Sequence, residues 1–558
     1  MRILVIITAF LLLQSPLLKG QTAHDMDAIM TFLGTDDPQE IDSDEVERLE
    51  YLLEHPLRIN HAHQQELREA GIFSQYQTAV LSDYISRHGA VKTFMELSFL
   101  DGFNEGFVRK ISPFIDLSVN EHPDSFLRQE VAVRGSGKWQ ESQDPAAAYA
   151  MKYRLNASDR LIGTVAASRP YGASSIAPSV FSASIGWSPA RWPLKVIVGD
   201  FNARFGQGLT LWNNSFMTSL TTPDNFMKRP TGVSQPWSFT GSNALTGVAA
   251  EASVGHWQAS VLASFPGIKN VQSGKLQFMP AFNLSRFGRF GHISFTNVLY
   301  LPLTPSAPDV SVKSGIDAAF CINGVNLFGE MSCDWVSMKP NILAGTRFRA
   351  GERTDMAVLA RVFLGDQYGL ACSGMLTLRK DLLTWVLDAV SNSSGHQIKA
   401  LVTYERSFSD SWKLKLRLSE RVRTWGLPLR TDARADIVYT AGRWTSSLRL
   451  NILGSDKTGY LSYAEAGYIG EKLTAYLRQG IFFIDDWDDR IYVYERDAPG
   501  SFNVPAMYGR GVWTSMTASL RLSSSLRLYS RASVTSYPFM QKKKPGKAEL
   551  KLQLQWRL

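Results

Sequence analysis

The sequence predicts a transmembrane antiparallel β-barrel of about 24 strands, within a range of 22–26, preceded by a small all-helical domain. Three observations predict it. The apolar period changes from about 3.6 residues to about 2 near residue 126. The alternating segments beyond that point are about ten to twelve residues long, the length a tilted strand needs to cross a bilayer. Charge also divides the 558-residue chain at the same place: residues 22–125 hold 20 acids against 7 bases, and residues 126–558 hold 50 bases against 31 acids. A sign change of that size marks a domain boundary.

The N-terminus comes first. Arg2 is followed by an apolar stretch from Ile3 to Leu13 and a small residue at Gly20. That order predicts a secretory signal over residues 1–20, cut near Gly20 or Ala23, and no neighbouring cysteine suggests a lipid anchor. No later run of apolar residues is long enough for a membrane helix, which leaves a soluble secreted protein or a barrel. The three cysteines, Cys321, Cys333 and Cys372, form no disulfide framework. An Asn323-Gly324 turn sets Cys321 opposite Asn326 and leaves Cys333 out of bridging reach.

Residues 21–122 read as an acidic helical domain. In 38–54, Val46, Leu49, Leu52 and Leu53 recur at helical spacing behind a Ser43 or Asp44 cap, with acids crowding the first turn. Short helices follow over 64–70, 75–88, 94–100 and 104–111. Ala70-Gly71-Ile72-Phe73 and Asp101-Gly102-Phe103-Asn104 form two of the junctions.

Pro56-Leu57-Arg58-Ile59-Asn60 with Ala62, Glu66 and Leu67, then Tyr84-Ile85-Ser86-Arg87-His88-Gly89 with Glu96-Leu97, then Leu100-Asp101-Gly102-Phe103, resemble the competence-type helix-hairpin-helix domain over about residues 52–114. In that family the hairpin amides and the helix N-terminus behind them hold a DNA phosphate. The resemblance therefore implies Gly71, Ile72, Gly102, Phe103, Arg109 and Lys110 as nucleic-acid or partner contacts. Here Phe73 and Asn104 replace the second glycine of each hairpin, and the domain lacks the basic footprint that phosphate binding needs. Packing or protein contact is the favoured role, and DNA is not the favoured partner.

From residue 126 to 558 the chain reads as barrel. Leu550, Leu552, Leu554, Trp556 and Leu558 share one face of the last segment; Lys551, Gln553, Gln555 and Arg557 share the other. Residues 412–418, 448–452, 516–522 and 526–529 alternate in the same way. Such segments recur about every seventeen residues with no helical pattern between them. With both termini periplasmic, 156–159 and 523–525 become short inner turns, and 204–243 and 497–510 become long outer loops. The same parity puts Asp485-Asp486-Trp487-Asp488-Asp489 at a periplasmic turn.

The faces turned away from lipid are basic: Lys413, Lys415, Arg417, Arg421, Arg423, Arg449, Arg521, Arg527, Arg531, Lys551 and Arg557. Acids on neighbouring strands can neutralise such a lumen. Alternatively it faces polyanions, or it receives the acidic helical segment by charge attraction through Glu45, Glu47 and Glu50. Gly199-Asp200-Phe201, then Phe205-Gly206-Gln207-Gly208-Leu209 with Trp212, and Tyr494-Glu495-Arg496-Asp497-Ala498-Pro499-Gly500-Ser501-Phe502 resemble motifs of Bacteroidota outer-membrane proteins with an N-terminal helix-hairpin-helix domain. That resemblance implies a bacterial outer-membrane location and this architecture.

Signals for chemistry are weak. His61-Ala62-His63 has the wrong spacing for two ligands on one helix face. The aspartates of 485–489 lack the glycine and glutamate of a known calcium loop. Gly206-Gln207-Gly208 lacks a following lysine, and its glycines suit a loop bending close to a wall. Lys542, Lys543 and Lys544 read as a solvated outer loop or a contact for lipid phosphates. No catalytic residue, cofactor or metal is expected. The expected function is passage or export of a large or anionic solute, gated or plugged by a helical domain that sits in the periplasm or the lumen. DNA binding or uptake through the hairpins, and a non-conducting scaffold that recruits a periplasmic protein, are the two other readings.

Overall fold

Two ways of burying apolar surface divide the chain, and the computed structural model describes it over residues 25–558 apart from 34–42, 63, 120–126, 142, 158–159, 190–191, 214–219, 240–242, 270–273, 289, 364–366, 426–428, 456, 502 and 541–543. The predicted signal at 1–20 lies outside the described residues, as do His63, Lys542 and Lys543.

Among the described residues the N-terminal part holds six α-helices: α1 (Asp25–Leu33), α2 (Ser43–Glu54), α3 (Gln64–Glu69), α4 (Gln75–His88), α5 (Phe94–Ser98) and α6 (Glu105–Ile111). Local chemistry sets their ends. Ser74 and Gln77 form a reciprocal capping box at the start of α4, while Thr93 and Asn104 cap α5 and α6. At the two glycine junctions, Gly71 (φ 61°) and Gly102 (φ 82°) adopt the left-handed conformation that glycine takes without steric cost. The helices are too short to persist alone, and a shared core that includes Ile29, Phe32, Leu49, Ile59, Ile72, Leu97, Phe107 and Phe114 holds them. Leu57–Arg58, just after α2, pairs in parallel with Ile115–Asp116 at the C-terminal end of the unit.

Three readings need correction here. Helix α1 was not anticipated, although Ala28, Ile29, Phe32 and Leu33 supply its core contacts. Asp44 lies in the first turn of α2, and its carboxylate accepts the amides of Trp237 and Ser238 on a distant loop. Residues 485–489 are not at a periplasmic turn. They open the same long loop, 485–508, that holds 497–507, at the rim opposite the short turns, because Ile491–Tyr492 pairs with Ala506–Met507 in a small ribbon within the loop. The alternation of Ile491 and Val493 with Tyr492 and Tyr494 imitates a wall strand, but it serves to seat that loop on a local apolar cluster.

From Leu127–Gln140 to Lys547–Arg557 the chain forms a closed antiparallel barrel of 24 strands, each paired with its sequence neighbour. The last strand pairs antiparallel with the first, Leu554 opposite Val133, so no edge is left. An even number is what that closure requires. Strands run from 8 to 14 residues. Their outward residues are exposed and apolar, as at Leu416, Leu418, Leu448, Leu450, Leu552 and Leu554, the surface that hydrocarbon covers in a transmembrane barrel. Trp187, Trp257, Trp412, Trp444 and Trp556 face outward at one rim. Tyr439 packs on Trp412 there and Tyr468 on Trp444, with ring centroids 4.6 and 5.0 Å apart. Such an aromatic girdle sits at a membrane–water interface. Turns at this rim are short, whereas loops 205–244 and 485–508 leave from the other. Among the cysteines, Cys321 lies opposite Asn326 and Cys333 opposite Ser314, and all three are free thiols.

Candidate functional site

Strand parity turns all eleven predicted bases inward, but the structure sorts them into groups with different work. Arg449 pairs with Asp436 at 2.5 Å and Lys415 with Glu405 at 3.0 Å, both along the wall. Arg531 pairs with Glu549 on the adjacent strand and with Glu495 of loop 485–508, and Lys551 pairs with Asp497 of the same loop. Arg527 and Arg557 meet Glu54 of α2. Arg417, Arg421 and Arg423 line a cavity of about 320 Å³. Lys413 and Arg521 are exposed at the short-turn rim, and Arg521 shares a recess there with Arg527 and Arg557.

Helix α2 presents a row of carboxylates to the barrel. Asp44 binds the Trp237 and Ser238 amides and lies 3.8 Å from Arg204, near the end of its strand where the long loop begins. Glu47 pairs with Lys152 in the wall. Glu50 accepts the Gly500 amide at 2.9 Å. Glu54, at the other end, meets Arg527 and Arg557 beside the short-turn rim. Glu45, expected to join them, instead pairs with Arg48 one turn along its own helix. Elsewhere Glu69 of the helical unit pairs with Lys195 and Arg68 pairs with Glu251, also in the wall.

Environment separates these carboxylates electrically. Burial pushes the Glu50 carboxyl up to about 8, against the pull of the Gly500 amide, and the neighbouring Glu47 and Glu54 raise it further. Burial also raises Glu47, more than Lys152 can lower it. At Glu54 burial acts upward too, but Arg557 and Arg527 outweigh it and hold the carboxyl below the usual range.

The two long loops close on this helix. In loop 205–244, Glu330 of the wall accepts the amides of Gln207, Leu209 and Thr210 and the Thr210 hydroxyl. Gly206 (φ 59°) makes that approach possible, since a Cβ there would stand 2.7 Å from the Glu330 carboxylate. The loop thus bends to the wall as its glycines suggest. Asp224, farther along, joins Lys110 of α6 to Arg347 of the wall, and these cations hold its carboxyl far below normal although burial opposes them. In loop 485–508, the Pro499 carbonyl accepts from Arg134 and Gln553, while Gly500 touches both α2 and Phe239 of the first loop.

The hairpin residues are occupied in their own ways. Gly71 abuts the Arg48 guanidinium, and Ile72 and Phe103 are buried in the helical unit. The Gly102 carbonyl accepts from Gln77 at 2.7 Å. After the second hairpin, the amide of Phe107 donates to the Asn104 side chain. Arg109 pairs with Glu105 on an exposed face, and Lys110 faces Asp224.

Sequence reading missed Lys152, Lys195, Arg204 and Arg134 as contacts to helix and loops, and Lys399, Arg430 and Arg490 around the cavity. Arg430 carried a readable signal: Arg430, Asp432, Arg434 and Asp436 occupy every second position of one strand. Arg490 carried none, because its place depends on how the loop folds back. Nor do Asp485 and Asp486 stand as open calcium ligands, since they pair with Arg510 and Lys457.

No protein-family model matches the chain, and no curated protein does. Among solved structures it is similar to the siderophore receptor PirA from Pseudomonas aeruginosa, at 9% identity and a TM-score of 0.42, over 79% of this chain and 82% of that one. It is also similar to the FrpB iron transporter from Neisseria meningitidis, at 8% identity and a TM-score of 0.37, over 77% and 81% of the two chains. A third is Pseudomonas aeruginosa OpdQ, at 10% identity and a TM-score of 0.30, over 78% and 99%.

Proposed function

We propose that the protein is an outer-membrane barrel for passage of a large or anionic solute, and that its helical region is the plug that closes it. A barrel of this size encloses an aqueous hole unless something fills it. The single observation that carries the reading is the carboxylate row of α2. Its members meet inward-facing barrel groups or inward-folded loops along the whole helix, from Asp44 near Arg204 to Glu54 at Arg557. An acidic helix set against a basic wall is attracted over a long range and then held by specific pairs. The helical unit keeps its own core, so it can move as a body. On this reading the N-terminal unit is a helix-hairpin-helix module used for protein contact, with its surface turned to the barrel rather than to a nucleic acid.

Planar-bilayer recording tests it. The full protein should be nearly silent. Deleting residues 22–122, or combining Glu47→Lys, Glu50→Lys and Glu54→Lys, should open a large, steady conductance. Equal currents from all three proteins would defeat the plug reading, and silence of the deletion protein would defeat the passage reading with it.

A further inference from the structure

We propose that the cavity beside loop 485–508 binds a soluble small molecule carrying two phosphate groups. This deepens the passage reading by naming the solute class, and rests on it for any transport after binding. Lys399, Arg421 and Arg430 form one row across three adjacent strands, Lys399 directly opposite Arg421 and Arg421 directly opposite Arg430. Like charges at directly opposed positions destabilise a sheet. Arg417 and Arg423 extend the patch along the central strand, and Arg490 closes it from the loop. Only Asp432 and Asp488 bring negative charge to the lining, against six cations.

Part of this donor set is already spent on holding shape. Arg430 donates to the carbonyls of Asp488 (3.1 Å) and Arg490 (3.3 Å), and Arg423 donates to Gln397 at 2.7 Å. Those bonds fix two guanidinium planes and pin the loop over the strands. A guanidinium has five N–H donors, so most remain for a ligand. Independently, Arg417 Nε is a buried donor without a hydrogen-bond partner, which a phosphate oxygen in the cavity would satisfy.

Charge and size then choose the ligand. The four surplus positive charges match two phosphate monoesters, which carry roughly −3 to −4 together. The volume of about 320 Å³ equals roughly ten waters, room for a bisphosphorylated sugar. Arginine forks suit phosphate oxygens two at a time. The lining residues face inward, away from lipid, so the ligand arrives dissolved.

Calorimetry on the full-length protein in detergent, with a hexose bisphosphate as probe and a dicarboxylate of similar length and chloride as comparators, tests the site. The bisphosphate should bind, the dicarboxylate much more weakly, and chloride not detectably. Lys399→Gln, Arg421→Gln and Arg430→Gln should each weaken binding about tenfold. Arg421→Gln should also raise the melting temperature of the unliganded protein, because the repulsion it meets from Lys399 and Arg430 on both sides is relieved; a merely structural arginine would do the opposite. Arg353→Gln, on a short turn at the opposite rim, should change neither. Hydrogen exchange on the wild-type protein gives a readout independent of any variant: the bisphosphate should slow exchange in 487–492. Unchanged affinity in the variants, or no protection of that segment, overturns the site. Binding to a barrel that never conducts would keep the site and sink the passage reading, and conduction without binding would do the reverse.

Discussion

Glu50 and Glu54 stand about one turn apart on α2 and titrate in opposite senses. Glu50 is pushed up to about 8, so it is neutral in the docked state where a free carboxylate would ionise. Its contribution to docking is therefore fullest below about pH 4.5 and is lost as pH rises toward 8. Glu54 is held down by Arg557 and Arg527, so its contribution is present at neutral pH and is lost as pH falls through the carboxylate range. Two matched variants should separate them. Glu50→Gln, which keeps an acceptor for the Gly500 amide, should strengthen protection of α2 at pH 8 by roughly 1–2 kcal/mol, discounted for a half-buried side chain, and change little at pH 5. Glu54→Gln should weaken it at pH 7 and have little effect near pH 3. Hydrogen exchange on the helix measures both, and the same pH trend in the two variants would contradict the assignment. At this scale the inward direction of Arg527, Arg557 and Lys551 was legible from alternation alone. Their partners were not, because Glu54, Glu130 and Asp497 are brought to them by helix α2, by closure of the barrel and by a folded-back loop, respectively.

Elements meet at two joints, and each can be tested by one substitution. Gly500 (φ 70°) lies where both long loops touch α2, and a Cβ there would stand 2.6 Å from the Phe239 ring and 2.9 Å from the Glu47 carboxyl carbon. Gly500→Ala should cost about 1–2 kcal/mol or more and speed proteolysis of 497–501, since both conformation and space oppose a side chain. Asp224→Asn should be harsher. It leaves Lys110 and Arg347 buried without their counter-charge, for which about 3–5 kcal/mol is typical. Loop 205–244 should then become the first site of protease cutting, and adding Arg347→Gln should restore part of the resistance. The glycine junctions between helices were readable, because Gly71 and Gly102 act on their own neighbours, whereas the caps Ser74, Thr93 and Asn104 were not picked out although they too act locally. Residues 491–494 misled for the converse reason: alternation records that one face is buried, not whether wall or loop does the burying.

Over the whole molecule, the outward face should contact lipid and the inward face should not. Quenching by brominated acyl chains tests this with tryptophans already in place. A protein in which Trp412 or Trp556 is the sole tryptophan should be quenched strongly, and one retaining only Trp513, which is 1% exposed and packs inward on Phe482 and Tyr463, should be spared. Equal quenching of Trp513 and Trp556 would mean the faces are assigned wrongly. The same two-sidedness explains why strand number could be approached from sequence: each crossing carries its own alternation, and closure of an antiparallel meander admits only even totals.

By itself, then, the sequence determined that segments beyond residue 126 are extended, which residue of each points outward, and roughly where the short helices between residues 43 and 111 lie. All of these depend on side chains within a few positions of one another. Only the tertiary structure decided which cation meets Glu54, where loops 205–244 and 485–508 turn, and that Lys399, Arg421, Arg430 and Arg490 surround one cavity. Those pairings join residues far apart in the chain, and their distances are set by the register and closure of the barrel, which no local pattern encodes.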